Sequence, residues 1–141
     1  LLRFGIVLAA EGGALAKLLP LFRLGLGGRV GAGTQWMSWI ARDDAVGAIL
    51  HALDHAECAG AINVVAPEAV TNAEWSATLG RVLHRPAFLP VPAWGVRLVF
   101  GQMAVETMLA STRVRPARLI AAGFGFRHPD LPAALRAALE R

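Results

Sequence analysis

Three features of this 141-residue chain predict an α/β fold. Two apolar runs, Leu1 to Leu8 and Ala61 to Val65, have the near-continuous hydrophobicity of strands buried on both faces of a parallel sheet. Around them, Leu15, Leu18, Leu19 and Phe22 recur at the three- and four-residue steps of one helix face. Thr71 and Glu74 stand three apart, the capping-box pattern at a helix start. Strand, loop, helix and strand in that order is the mark of an α/β layout.

Taken in order, Leu1 to Leu8 is expected as the first strand, apolar apart from Arg3 and Gly5, and Glu11-Gly12-Gly13 breaks it. A helix follows from Ala14 to Phe22, kinked or shortened by Pro20. Gly25, Gly27, Gly28, Gly31 and Gly33 then make a flexible, turn-rich stretch. Trp36 to Ile40 reads as a short strand, and Asp43 or Asp44 as the cap of the next helix. That helix, Ala45 to Ala56, is expected to turn Val46, Ile49, Leu50 and Leu53 inward, with Gly60 closing the region.

After the strand at Ala61 to Val65, Pro67 to Val70 turns the chain into the capped helix, which runs to about His84. Phe88 to Val91, bracketed by Pro86, Pro90 and Pro92, is expected as an edge strand, since proline removes a ladder donor. From Ala93 the composition is helical, through Trp94, Val96, Leu98, Val99 and Phe100, a break at Gly101, and Met103 to Ala110. Arg115-Pro116 opens a further helix that ends at Gly123. Phe124 and Phe126 are expected as an extended pair, and Pro129-Asp130 opens a last helix bearing Leu131, Leu135 and Leu139.

Composition limits the function classes. The chain carries 14 Lys plus Arg against 10 Asp plus Glu, but the arginines are dispersed, so no nucleic-acid stripe is indicated. Arg113, Arg115 and Arg118 form the best anion-contact candidate, although a solvated helix start explains them more simply. The lone Cys58 excludes an internal disulfide. No apolar run reaches a spanning length of ~18 residues and no signal peptide is present, so a soluble, cytoplasmic protein without a membrane partner is expected. An all-apolar strand at Leu1 requires partners on both faces, and 55% apolar content is high for so small a body. A piece of a longer protein is therefore expected.

Chemistry-bearing motifs are sparse. In the glycine-rich stretch the third fingerprint position is Val30 after Gly25 and Gly27, and Trp36 after Gly31 and Gly33, so no Gly-x-Gly-x-x-Gly exists. A turn-rich connection is preferred over a loop that binds a ligand through its amides. His51 and His55 share one helical turn but lack a third ligand, and are read as solvated rather than metal-binding. Ser38 has no His or acid at a characteristic distance. Trp36 and Trp39 are read as core or pocket-wall residues.

The segments Leu1 to Ile49, Gly60 to Trp94 and Arg113 to Leu135 together resemble the C-terminal half of a nucleotide-sugar-epimerase-like family in the atypical extended short-chain dehydrogenase/reductase group. The motifs that carry the resemblance are Leu-Arg-x-Gly-x-Val-Leu at Leu2 to Leu8, the loop with Gly31, Gly33 and Gln35, and Trp39-Ile40-Ala41-Arg42-Asp43-Asp44. In the last of these, Ala41 stands where the family carries histidine, which removes one hydrogen-bonding group. The resemblance implies the C-terminal part of a Rossmann-like NAD(P)-binding fold with a mostly helical substrate-binding lobe. Residues 1–9 would be a late sheet strand, 10–60 lobe helices, loop and short strand, 61–66 the last sheet strand, and 67–141 the C-terminal lobe.

The same resemblance implies NADP or NAD as cofactor, held mainly by an N-terminal Rossmann half, with Arg3 approaching the dinucleotide. Family members catalyse with a Tyr-x-x-x-Lys pair, yet this chain contains no tyrosine, so no catalytic residue is assigned to it. Leu18, Phe22, Gln35, Trp36 and Trp39 are the expected walls of a pocket for a small-molecule substrate. The expected partners are that substrate, the N-terminal half and, as a further option, a second copy in a homo-oligomer. The expected function is the substrate-binding portion of an NAD(P)-dependent epimerase or reductase. The rival reading is a non-catalytic binding or structural module.

Overall fold

A computed structural model describes residues 1–102, 106 and 109–140 of the chain. Among them the elements run β1 (Leu2–Phe4), β2 (Ile6–Leu8), α1 (Gly13–Arg23), β3 (Trp36–Met37), β4 (Trp39–Ala41), α2 (Arg42–Asp54), β5 (Ile62–Val64), β6 (Val70–Thr71), α3 (Asn72–Leu83), α4 (Ala93–Phe100), α5 (Ala117–Ala121) and α6 (Leu131–Leu139). The expected α/β order is present, with parallel pairing of β1 on β5 and of β2 on β4.

Two strands expected from the sequence, Leu1 to Leu8 and Trp36 to Ile40, are instead split where the chain changes partner. At Gly5 the backbone N–H reaches Val64 O at 3.2 Å, while the next N–H, of Ile6, reaches Ser38 O at 2.9 Å. A Cβ at Gly5 would lie 2.6 Å from that Ser38 carbonyl oxygen, so only glycine lets the two strand pairs come this close. The Trp36 to Ile40 run divides at Ser38 in the same way. β3 turns to an antiparallel partner, β6, while β4 stays beside β2.

The main core is assembled on α1. Leu15, Leu18, Leu19 and Phe22 are all buried, as their spacing requires, against Leu8, Trp39, Trp75, Leu79 and Leu135. Pro20 does not shorten this helix, which continues through it to Arg23. The Thr71–Glu74 capping box is formed reciprocally at the head of α3. Asp130 caps α6 by accepting from Ala133 N–H at 2.8 Å.

α2 departs most from the sequence reading. It begins at Arg42 with Ala41 as its uncapped N-terminal neighbour, so neither Asp43 nor Asp44 is the cap. Its buried residues are Asp44, Ala45 and Ala48, whereas Val46, Ile49, Leu50 and Leu53 are 52%, 37%, 57% and 77% exposed. The small side chains let α2 lie close on the sheet, where Ala45 and Ala48 join Ile40, Ile62, Val64 and Leu119 in a second core cluster. A larger residue at either alanine would hold the helix off.

Two expected extended segments are absent. Phe88 to Val91 forms no strand and contributes one parallel bridge, Val91 to Val30. Phe124 and Phe126 form an edge-to-face ring pair, with centroids 4.9 Å apart, in place of a strand. The helix expected over Met103 to Ala110 falls partly on 103–105, 107 and 108, which lie outside the described residues.

Candidate functional site

A cleft of about 550 Å³ opens where β1 and β5 end and the chain crosses to β2. The chain passes from one strand pair to the other at Gly5, and Gly5, Ile6 and Val65 line the opening at that point. Arg3 and Asn63 line it and are register partners across the β1–β5 pair. Strand alternation places them on the face opposite Leu2, Ile62 and Val64, which pack in the second core cluster. A guanidinium and a carboxamide therefore stand side by side on one wall.

The other wall is Trp36, Met37 and Ser38, closed by the segment from Ala110 to Val114. Ser38 is 4% exposed. Its Oγ donates to Thr112 O at 2.8 Å and accepts from Val114 N–H at 3.0 Å. Trp36 N–H donates to Ser111 Oγ at 3.1 Å, and Thr112 N–H returns a bond to Trp36 O at 2.9 Å. These bonds strap the segment to β3 and place the Arg113 guanidinium 4.1 Å from the Trp36 ring centroid. Ser38 is thus a bracket between backbone groups, a role its sequence context did not signal.

The remaining sequence candidates lie elsewhere. Leu18, Phe22 and Trp39 are 8%, 2% and 1% exposed and sit in the main core rather than on the wall of this cleft. Spacing identified them as inward-facing but could not tell a core from a pocket. Phe22 meets Trp75 edge to face at 6.4 Å, and Trp39 Nε1 donates to Glu68 O at 3.1 Å. Gln35 Nε2 reaches back to Val30 O at 3.3 Å. Arg118 Nη1 donates to Ala59 O at 2.7 Å, well away from Arg113 in its contacts.

The glycine-rich stretch engages its own scaffold. Gly31 N–H donates to Val91 O and Gly33 N–H to Val30 O. Val30 N–H is taken at 2.7 Å by the buried Oδ1 of Asn72. Asn72, at the start of α3, was missed because nothing local marks a residue whose partner is 42 positions away. His51 and His55 stack with ring centroids 3.7 Å apart and planes within 16°. Their lone pairs lie in parallel planes, a poor geometry for one metal, and the described residues contain no grouping of three metal-ligating side chains.

Asp44, expected as a possible helix cap, has a different role. Its buried carboxylate accepts from Arg127 N–H at 2.8 Å and His128 N–H at 3.0 Å, fixing the connection between α5 and α6 onto α2. No helix among the described residues is long and apolar enough to cross a membrane.

Residues 91–138 match a family model described as a domain of unknown function, DUF1731. The chain is 43% identical over 141 residues to an epimerase family protein of Mycobacterium leprae, covering 100% of this chain and 46% of that protein. The crystal structure of the human epimerase family protein SDR39U1 (isoform 2) with NADPH shares the fold at a TM-score of 0.91. It is 42% identical, over 99% of this chain and 47% of that one. A nucleoside-diphosphate sugar epimerase from Corynebacterium glutamicum gives 0.72 at 36% identity, over 98% of this chain and 25% of that one. The fold is Rossmann-like, and the chain matches the C-terminal half of an epimerase-like protein. It spans about half the length of the curated relatives it matches.

Proposed function

We propose that this chain is the substrate-binding C-terminal portion of an NAD(P)-dependent nucleotide-sugar epimerase- or reductase-like protein, and that it does not catalyse by itself. The observation that carries this reading is the cleft at the C-terminal ends of β1 and β5, with Arg3 and Asn63 paired on its wall. Open α/β sheets take their ligands in the crevice outside the carboxyl ends of the strands. The exposed guanidinium of Arg3 suits a dinucleotide phosphate, and the Asn63 carboxamide offers both donors and an acceptor. A nicotinamide cofactor would supply hydride transfer, and the NADPH-bound human relative supports that choice of group. Trp36 is the substrate-side wall, with Arg113 stacked on it as a fixed positive charge.

In this reading residues 1–9 and 61–66 are sheet strands, and the cofactor turn and the Tyr-x-x-x-Lys pair belong to an N-terminal half that docks on the free edge of β1. One observation favours the rival module reading: none of the 141 residues is tyrosine, so the chain has no phenol of its own for proton exchange.

The test is an expression series. A protein in which this chain is preceded by its genomic upstream half should quench on NADPH titration and turn over a nucleotide sugar. The 141-residue chain alone should do neither. Turnover by the isolated chain would overturn the proposal. An upstream half lacking both the Gly-x-Gly-x-x-Gly turn and Tyr-x-x-x-Lys would leave the module.

A further inference from the structure

Arginines that are dispersed along the sequence are gathered by the fold. No acid occurs between Glu11 and Asp43, or between Glu74 and Glu106. Those two acid-free stretches contain Lys17, Arg23, Arg29, Arg42, Arg81, Arg85 and Arg97, half of the 14 basic residues, and none of the 10 acidic ones. The structure lays parts of them side by side. α1 and α3 are in contact, Arg85 Nε donates to Arg23 O at 3.1 Å, and a Cβ at Gly25 would lie 3.3 Å from the Pro86 ring. Further along, Val91 N–H donates to Arg29 O at 2.8 Å and Gly31 N–H to Val91 O at 2.9 Å. Residues 23–31 and 85–91 therefore form one continuous surface of a single sign of charge.

The same surface is apolar between its charges. Leu24, Leu26, Phe88 and Leu89 are 73%, 51%, 72% and 41% exposed, and Arg23, Arg29 and Arg85 are exposed beside them. Adjoining Phe88 is a hollow of about 510 Å³ lined by Arg81, His84 and Arg85. Arg81 Nη2 donates to Thr78 Oγ1 at 3.1 Å and Arg85 Nη1 to His84 O at 3.3 Å, so neutral oxygens orient both guanidinium groups without cancelling their charge. Among the described residues no carboxylate pairs with Arg23, Arg29, Arg81 or Arg85. We propose that this surface docks peripherally on an anionic lipid bilayer, with lipid phosphates in the Arg81 and Arg85 hollow and the four apolar side chains at the boundary between headgroups and acyl chains. Such docking adds apolar burial to attraction between basic side chains and anionic lipid, and it needs no spanning helix. A nucleic acid satisfies the cations but leaves three leucines in water, since its bases are held by aromatic stacking. A protein partner is met by a rim of mixed charge, and no acid stands in either stretch to make one. The proposal goes beyond the proposed function and does not rest on it.

The experiment is co-sedimentation with vesicles, using the protein that includes the upstream half. Wild type is expected to sediment with vesicles of phosphatidylcholine and phosphatidylglycerol but not with phosphatidylcholine alone, and added salt should weaken the binding. Arg81→Glu/Arg85→Glu and, separately, Leu26→Ser/Phe88→Ser should each bind the anionic vesicles about tenfold or more weakly. Arg115→Glu/Arg136→Glu changes the net charge equally, at exposed positions outside both stretches, and should bind more tightly than Arg81→Glu/Arg85→Glu. The serine pair retains every charge, so it decides the matter if the glutamate pair lowers the melting temperature. NADPH titration is expected to be the same for all of these proteins, which separates this docking from the proposed function. Absence of wild-type binding to anionic vesicles, or equal binding by the two glutamate pairs, would overturn the proposal. Retention on a single-stranded oligonucleotide that anionic vesicles do not compete away would assign the surface to nucleic acid and overturn it equally.

Discussion

The Ser38 hydroxyl donates to the carbonyl oxygen of Thr112 at 2.8 Å, across 74 residues of chain. The Ser38 Oγ in turn accepts from Val114 N–H, so one small side chain satisfies two backbone groups of the strap that closes the cleft. Ser38→Ala should destabilise the fold by about 1–3 kcal/mol, because both groups lose a partner and the site is largely closed to water. Urea denaturation measures the stability. Hydrogen exchange at the Val114 amide reads the local effect, and unchanged protection there would show that the strap does not depend on this hydroxyl.

Asp44 makes a sharper prediction because its two acceptor bonds are charge-assisted and its carboxylate is 2% exposed. Asp44→Ala leaves the Arg127 and His128 amides unpaired and should cost about 3 kcal/mol or more. The neighbouring Asp43 is half-buried, with His128 Nε2 4.0 Å from its carboxylate. Asp43→Ala should cost less than Asp44→Ala, because the Asp43 side chain is 30% exposed and water replaces part of what it loses. Equal losses for the two variants, by equilibrium denaturation, would refute the assignment.

Two glycines with ordinary backbone angles separate close approach from mere flexibility. A Cβ at Gly28 would collide with the Leu89 carbonyl oxygen, whereas at Gly12 it would meet nothing within 4 Å. Gly28→Ala must push the 88–91 segment away and should cost about 1–3 kcal/mol or more. Gly12→Ala should stay within about 0.5 kcal/mol. Thermal melts of the two variants make the comparison.

Arg3→Ala, made in the protein that includes the upstream half, should weaken NADPH binding by about tenfold or more. A hydrogen bond to a charged group contributes about 1.5–3 kcal/mol, and 1.4 kcal/mol is tenfold in affinity. Arg3 is exposed, so the fold should be unaffected. An unchanged NADPH titration would remove Arg3 from the site.

The isolated chain should self-associate or precipitate. Leu1, Phe4, Leu50 and Leu53 are 78%, 45%, 57% and 77% exposed, and the open edge of β1 offers unpaired backbone groups to another chain. Each Å² of apolar surface left in water forgoes ~25 cal/mol. Sedimentation at micromolar concentration tests this. A monomer that binds no apolar dye would mean that these strands find every partner they need within the 141 residues.

What the sequence determined by itself was local. The Leu15, Leu18, Leu19, Phe22 stripe, the Thr71–Glu74 box and the helix bearing Leu131 and Leu135 were all legible, since each interaction spans three or four residues and its geometry follows from the helical repeat. The parallel pairing of Leu2–Phe4 with Ile62–Val64 was also legible from two apolar runs, but the expected burial of the first run on both faces was not met, since Leu1, Arg3 and Phe4 are exposed. Only tertiary structure decided where the Leu1 to Leu8 and Trp36 to Ile40 runs break, since Gly5 and Ser38 mark points at which the chain exchanges one strand partner for another. It also decided which face of α2 is buried: Ala45 and Ala48 win over larger apolar residues because contact with the sheet rewards closeness of approach, while periodicity registers only that an apolar stripe exists. The site itself was partly readable. Arg3 and Trp36 line the cleft, but Asn63 and Ser38 owe their positions there to strand register and to backbone groups up to 76 residues distant, a relation that no local pattern encodes.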